Sequence, residues 1–556
     1  MVSLVLAPVV LGVAIYYLPT WLAKLVVAVG QIGIAALGVY FFMRSASQGP
    51  FYEALIGDNR LLYISLRGDR PSLALVLLTS LLFIAVLAYS WREEYSTKKF
   101  LLLMLIMQGL IAGIFLTEDI FNLFVLVEVT TVVGIILLLF RKGYRSFYDG
   151  LYYLTVQIVA MMFFLFAIAF LYRAFGVLSI SYMTAMISAG TVEGQALVLP
   201  FAFILAGLGL KTGLFPLMSW VPRCYGNPGA PLPVITVMSA VVIKGSVVWL
   251  VRLTAMFSPV LDMSTYVIIA AVVTAAASTV MALRQSDIRV LLAYSTIAQV
   301  ALITIGFLIS DPVSSNGAFF HILHHGAIKT LLFLAAGMIV AVYGTGRIQD
   351  ISGVARRMPL ATLVTAVAMA GMIGLPFTAG GASKYWIASG VSDTWLVWAL
   401  YLVNFGTMMV TVRFARMFFG PVSPSALRKR DPAPSVLPSL SDSAAARGAV
   451  DALPVASMRT MQVVSATLAV VILAAGVLAP WLASTVTGTP MSLPTASLLG
   501  KLPELLITAL LAVGLYTALH IRLRSTVLTD RGLSLPHAVL ALVGFFTVTL
   551  AVGMMR

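Results

Sequence analysis

The feature that most limits this chain is the recurrence of apolar stretches about as long as a bilayer is thick. A helix needs roughly 20 consecutive apolar residues to cross the hydrocarbon. Such stretches fall at 2–18, 21–43, 72–91, 100–117, 120–140, 150–172, 198–222, 231–251, 262–283, 290–309, 317–343, 359–386, 394–412, 461–485, 502–521 and 536–555. In lipid, the amides of each segment must be satisfied within a helix or a closed barrel. Sixteen long apolar runs therefore predict an all-α polytopic membrane protein. Composition agrees, with 61% hydrophobic and 10% charged residues, where soluble domains carry about 25% charged.

The net charge of +15 invites a nucleic-acid reading, but its placement argues for topology instead. Drawn on the sixteen spans, the loops alternate in basicity. One side holds 23 lysines and arginines against 8 on the other, and four lysines stay inside the spans. The positive-inside rule then places the rich side in the cytoplasm and both termini outside, as in a bacterial or archaeal inner-membrane protein. The chain begins apolar at Val2 and carries its first charge at Lys24, which predicts a retained first helix rather than a cleaved signal.

Ionisable residues inside the apolar runs are the functional signal. Glu128, Lys211, Lys244, Lys329 and Lys384 each interrupt a run. A charge in hydrocarbon costs several kcal/mol by insertion scales, so such groups face cavities or partners and mark ion routes. Glu128 stands nine residues past Asp119, about 14 Å along a helix, near mid-membrane. It reads as a proton-binding carboxylate or as the counter-charge to Lys211, against a purely structural ion pair. In general, low dielectric loosens an ammonium proton and a nearby carboxylate tightens it, so a lysine that meets and leaves a carboxylate can relay protons. Snorkelling does not explain Lys211, which is too far from either membrane face. It remains a serious alternative for Lys384, placed after GLPFTAGG and expected near the outer face.

His321, His325 and Lys329 recur at i, i+4 and i+8 and so share one helix stripe, with His324 on its flank. A neutral imidazole both donates and accepts, which makes this row a plausible proton wire; capping of backbone groups is the alternative. No acid stands beside the histidines at metal-ligand spacing, and Cys224 is the single cysteine. With no phosphate-binding or dinucleotide loop, no cofactor or metal is expected. Glu118 and Asp119 read as helix-dipole partners. Tyr294, Ser295 and Gln299 are candidates to hydrate the gap between sites.

Two runs carry one lysine and one proline in opposite order: Lys211 then Pro216, and Pro376 then Lys384. Proline-interrupted segments in corresponding positions point to an inverted repeat whose broken helices line the site. The expected division is 1–99 for the first three helices, 100–256 and 257–419 for two repeats, 420–458 for a Pro/Ser-rich cytoplasmic linker, and 459–556 for the C-terminal helices. The last two helices read as an appendage without buried charge.

The ordered motifs FNLFVLVEV, GLKTGLFPLMSWVP with NPGAP, SAVVIKG, RVLLAYSTIAQVALI, HILHHGAIKTLLFLAAG and GLPFTAGGASK resemble the antiporter-like membrane subunits. That superfamily joins proton-pumping subunits of complex I, membrane-bound hydrogenase subunits and the large subunits of Mrp-type Na+/H+ antiporters. The resemblance covers about residues 70–420 and looks most like the D-type large subunits of Mrp antiporters. It implies a fourteen-helix core with two inverted five-helix repeats, broken helices seven and twelve, and about two extra C-terminal helices. It further implies that Glu128 and Lys211 form a coupled pair, Lys244 a central link, His325 and Lys329 a second half-channel, and Lys384 its terminal group. Arg223-Cys224 departs from the pattern, standing where an acid is common. Expected partners are other hydrophobic subunits of a hetero-oligomeric complex, protons, and Na+ or another monovalent cation; nucleic acid is excluded. The alternative is a proton-pumping subunit of complex I or a hydrogenase.

Overall fold

A computed structural model describes residues 1–56, 64–141, 144–423, 455–523 and 535–555. Helices α1 (Val2–Tyr16) and α2 (Thr20–Gln48) lead into an antiparallel hairpin, β1 (Phe51–Ile56) and β2 (Ile64–Gly68), with Phe51 opposite Gly68. Helices α3 (Arg70–Tyr89), α4 (Lys98–Leu116), α5 (Ile120–Leu138) and α6 (Tyr144–Phe175) follow. Next come α7 (Ile180–Ser188), α8 (Gly194–Thr212), α9 (Trp220–Tyr225), α10 (Leu232–Val237) and α11 (Ile243–Phe257). The second half holds α12 (Ser264–Arg284), α13 (Ile288–Leu308), α14 (Pro312–Tyr343), α15 (Val354–Arg357), α16 (Pro359–Ile373), α17 (Ala379–Ser389) and α18 (Thr394–Ala415). The chain closes with α19 (Val455–Val477), α20 (Ala479–Thr487), α21 (Thr495–Gly500), α22 (Leu502–Leu523) and α23 (Leu535–Met554).

All sixteen apolar runs are helical. Among the described residues thirteen helical stretches are long and apolar enough to cross a membrane, and three shorter apolar helices account for the remaining runs. The gap between the second and third runs holds the hairpin, and α7 occupies the gap between the sixth and seventh. Most of the 420–458 linker (424–454), including its Arg428-Lys429-Arg430 run, lies outside the described residues.

Helix starts follow simple cap chemistry. Asp69, Asp119 and Asp311 each accept a backbone N–H three residues on, at 2.9, 2.6 and 2.7 Å, and Thr378 does the same for Gly381 at 3.0 Å. Each such cap stabilises its helix by about 1 kcal/mol. Asp119 thus caps α5, while Glu118 accepts the Ser181 amide at 3.1 Å; both match the expected helix-terminus role.

The two ends of the bundle are tied separately. At one end Lys24 donates to the Trp91 carbonyl at 2.6 Å, Lys98 to those of Tyr16 and Leu18 at 3.0 Å, and Arg141 pairs with Glu93 at 3.8 Å. At the other, the Met1 ammonium meets Glu53, Arg70 donates to the Ala46 carbonyl at 2.7 Å, and Arg252 lies 3.8 Å from Asp69. These groupings match the alternation read from the loops. Exposure then separates centre from rim. In α13 and α10–α11, 89% of the apolar window is buried, against 11% in the span that includes α22. The centre is where the ionisable groups sit.

Candidate functional site

Two helices break beside a lysine, and glycine makes each break. Helix α8 ends at Gly213 (φ 75°) and α16 at Gly374 (φ 90°), left-handed conformations that cost a Cβ-bearing residue but not glycine. Pro216 and Pro376 stand just beyond, where a helix cannot resume at once. Proline therefore marks the breaks while glycine performs them. In the second break Phe377 also takes a left-handed φ of 62°, an unusual conformation for a bulky residue.

Lys211, in the last turn of α8, is buried and donates to Thr131 Oγ1 at 2.8 Å. Thr131 in turn donates to the Val127 carbonyl at 2.9 Å, so its lone pair is aimed at the ammonium. Glu128, one turn earlier on α5, lies within electrostatic range of Lys211. The implied coupled pair is not in contact: none of the ion pairs among the described residues joins Glu128 to Lys211. Glu128 is half-buried, and its Oε1 has no hydrogen-bond partner among them. Tyr153 hydrogen-bonds Thr131 and packs on Trp220 at 5.5 Å. Trp220 meets Tyr225 at 5.9 Å, whose hydroxyl donates to the Met238 carbonyl at 3.0 Å. This aromatic ladder leads from Lys211 toward Lys244.

Lys244 opens α11 directly after a π-helical turn at Met238–Val242. The widened turn presents the Ser239 carbonyl to the Lys244 ammonium, and π-turns of this kind recur at functional sites. Ser239 Oγ meets Thr296 Oγ1 at 2.9 Å, linking the turn to α13. That helix supplies a polar stripe. Leu292 O accepts from Lys329 at 3.1 Å, Ser295 Oγ accepts from the same ammonium, and Gln299 Oε1 lies 3.1 Å from His321 Nε2. Positions 292, 295, 296 and 299 repeat at helix spacing and face one way. Ser295 and Gln299 are legible in the sequence as gap-hydrating groups. Thr296 is the one that sequence reasoning misses, although the i, i+3, i+4, i+7 spacing carries the signal.

On α14 the rings of His321 and His325 stack at 6.0 Å, and those of His321 and His324 meet edge-on at 4.7 Å. His321 is fixed at both nitrogens, by Ser383 at 2.8 Å and by Gln299, which itself donates to Thr407 at 2.8 Å. Both nitrogens of His325 are buried without a hydrogen-bond partner among the described residues, whereas His324 meets the backbone of Gly371. His325 lies within electrostatic range of Lys244 and Lys329, and His324 of Lys384. Lys384 lies in α17, just past the second break. It is buried, and its ammonium donates to the carbonyls of Met372 at 2.9 Å and Ile373 at 3.4 Å. Those are orphan acceptors at the C-terminus of α16, where the helix dipole favours a cation. Gly380 makes the approach possible, since a Cβ there would fall 1.7 Å from the Gly371 carbonyl.

The structure thus gathers Lys244, His325, Lys329, His321 and Lys384 around α13 and α14, with Lys211 and Glu128 reached through α9. At the basic end, Arg223 lies over the Tyr152 ring at 4.2 Å and Cys224 is buried. The histidines keep company with lysines rather than carboxylates, and among the described residues no group of three or more His, Cys, Asp or Glu is arranged to hold a metal.

Residues 117–410 match the family described as NADH:quinone oxidoreductase/Mrp antiporter, TM. The chain belongs to this family. It is 31% identical over 298 residues to the N-type subunit of the NADH-quinone oxidoreductase of Desulforudis audaxviator, covering 51% of this chain and 58% of that one. It is 28% identical over 311 residues to the D-type subunit of the Na(+)/H(+) antiporter of Bacillus subtilis, covering 53% and 61%. The chain thus spans under two thirds of the length of these curated relatives. Its fold also resembles a chain of the Mrp complex from a Dietzia species, with a TM-score of 0.75, 21% identity, and coverage of 91% of this chain and 99% of that one. The chain is therefore an antiporter-like polytopic membrane subunit.

Proposed function

We propose that this chain is the proton-translocating subunit of a multisubunit Na+ (or other monovalent cation)/proton antiporter. It would sit in a prokaryotic cell membrane with its basic-rich end in the cytoplasm. Protons would pass between Glu128 and Lys211, on to Lys244, then through His325 and Lys329, and by way of His321 to Lys384. His324 joins the row as the imidazole between His321 and Lys384. The observation that carries this reading is a buried series of amino and imidazole groups held by hydroxyls and main-chain carbonyls rather than by carboxylates. An ion pair would hold its proton; an ammonium on a neutral acceptor keeps the choice of donating it onward. Like charges this close repel, so a proton arriving on one member loosens the proton on the next. The same coupling lets a cation elsewhere in the assembly bias the row.

No cluster of buried carboxylates suited to Na+ appears among the described residues, so the cation site would be shared with a partner subunit. The decisive functional test is Lys211→Ala in the intact assembly, read as Na+-dependent dequenching of a ΔpH dye in everted vesicles. Exchange should fall to background, and unimpaired exchange would remove the proposal.

One observation favours a second reading. The 31% identity to an NADH-quinone oxidoreductase subunit fits a proton pump powered by a redox partner. Purification of the native assembly separates the two: small hydrophobic subunits support the antiporter, and co-purifying flavin or iron–sulfur proteins support the redox complex.

A further inference from the structure

The C-terminal helices are not a passive appendage. Helix α23 lies mainly against α6 and α8 of the first half, where Phe546 meets Phe163 at 5.3 Å and Phe203 at 4.8 Å, and Thr549 reaches across to Tyr266 of α12 at 3.2 Å. Helix α22 lies against the second half, where Ala512 and Tyr516 pack on Met408 and Met409 of α18. The loop before α21 is held by Trp386, whose indole donates to the Ser492 carbonyl at 2.8 Å. A cavity of about 240 Å³ lies between α17, α18 and the first turns of α22. Lys384 lies at its floor, and its walls include Asn404, Lys501, Glu504 and Thr508.

The lining is mixed: Ile373, Val397, Leu400 and Leu505 share it with the polar groups, which here face inward rather than toward lipid. The neighbouring residues of α22 that face outward are Leu506, Ile507 and Leu510. Asn404 Oδ1 is buried without a hydrogen-bond partner among the described residues. Lys501 sits over the Tyr385 ring at 5.2 Å and within electrostatic range of Glu504. Glu504 itself is exposed at the rim. Liquid water occupies about 30 Å³ per molecule, so the space suits a small water cluster with several polar partners.

We propose that α21–α22 complete a hydrated vestibule through which protons pass between Lys384 and the aqueous phase, with Glu504 as the group at its mouth. The inference rests on reading Lys384 as the end of the relay. In the outward step an N–H bond of the Lys384 ammonium breaks, bridging water carries the proton, and an O–H bond forms on the Glu504 carboxylate. The resulting acid then releases the proton to bulk water, and uptake is the reverse. Lys501, held on Tyr385, is a positioning residue that draws the Glu504 side chain toward the mouth between transfers.

The test uses the intact assembly in a Cys224→Ser background, with an impermeant, positively charged methanethiosulfonate added from the side on which Lys501 lies. Thr508→Cys and Asn404→Cys should be labelled and Leu510→Cys should not, and labelling at Thr508→Cys should stop cation/proton exchange. Glu504→Gln should slow exchange on the order of a hundredfold, the lower end of the range for a positioned proton carrier, and Glu504→Asp should restore most of it. Absence of labelling at both wall positions overturns the vestibule. Labelling with undiminished exchange in both Glu504→Gln and modified Thr508→Cys overturns the proton passage. Normal exchange in Lys384→Ala would instead defeat the relay itself, an outcome the labelling result does not depend on.

Discussion

The two broken helices use the same parts in opposite order. In the first half the lysine precedes the break, and Lys211 rests on a side-chain hydroxyl with the carboxylate of Glu128 within range. In the second the lysine follows the break, and Lys384 rests on the main-chain carbonyls that the break itself exposes. The contrast shows two ways to hold a buried ammonium. One acceptor can be tuned or removed by a side-chain change; the other is written into the backbone and is lost only if the break is lost.

The largest expected effect comes from removing either carrier. If the halves work in series, Lys211→Ala and Lys384→Ala should each lower vesicle exchange by more than about 100-fold, a loss on the scale of removing a proton-transfer group. Retention in one variant alone would mean that the halves act independently. Glu128→Gln should cost less, on the order of tenfold, because Glu128 acts on Lys211 through space. Glu128→Asp should then keep most activity, whereas a contact ion pair would make the shorter side chain nearly as harmful as Gln; rates in everted vesicles distinguish these. For the second half the corresponding lesion is in the backbone. Gly380→Ala forces a methyl into the Gly371 carbonyl and should destabilise the protein by about 1–3 kcal/mol, read as a lower unfolding temperature of the solubilised assembly. An unchanged transition would show that α16 and α17 can separate without cost. The smallest effect is expected at Thr131. Thr131→Val should slow exchange a few-fold and Thr131→Ser should not, since only the hydroxyl meets Lys211.

The same contrast explains what is legible in the sequence. Ionisable residues within apolar runs announce themselves by type alone, so Lys211, Lys244, Lys329 and Lys384 can be placed inside the bundle before any coordinates. Their partners cannot. Main-chain carbonyls have no letter in the sequence, which is why the acceptors of Lys384 and the role of the π-turn before Lys244 are invisible. Distance across helices is equally silent, so motifs suggest that Glu128 and Lys211 are coupled but not that a threonine stands beside the lysine. Hydropathy also treats lipid and protein as one solvent. The apolar faces of α22 and α23 therefore give no sign that each docks on a different half. The hairpin at β1–β2 escapes for a different reason: six- and five-residue strands leave too little period-2 pattern amid Gly, Pro and charge.

The central claim is that one proton route runs through both halves, and Lys244 is the group between them. Na+-dependent dequenching in everted vesicles carrying the assembly with Lys244→Ala, matched for the amount of assembly present, tests it most directly. Exchange should fall to background. Exchange at the level of the unmodified assembly would contradict it.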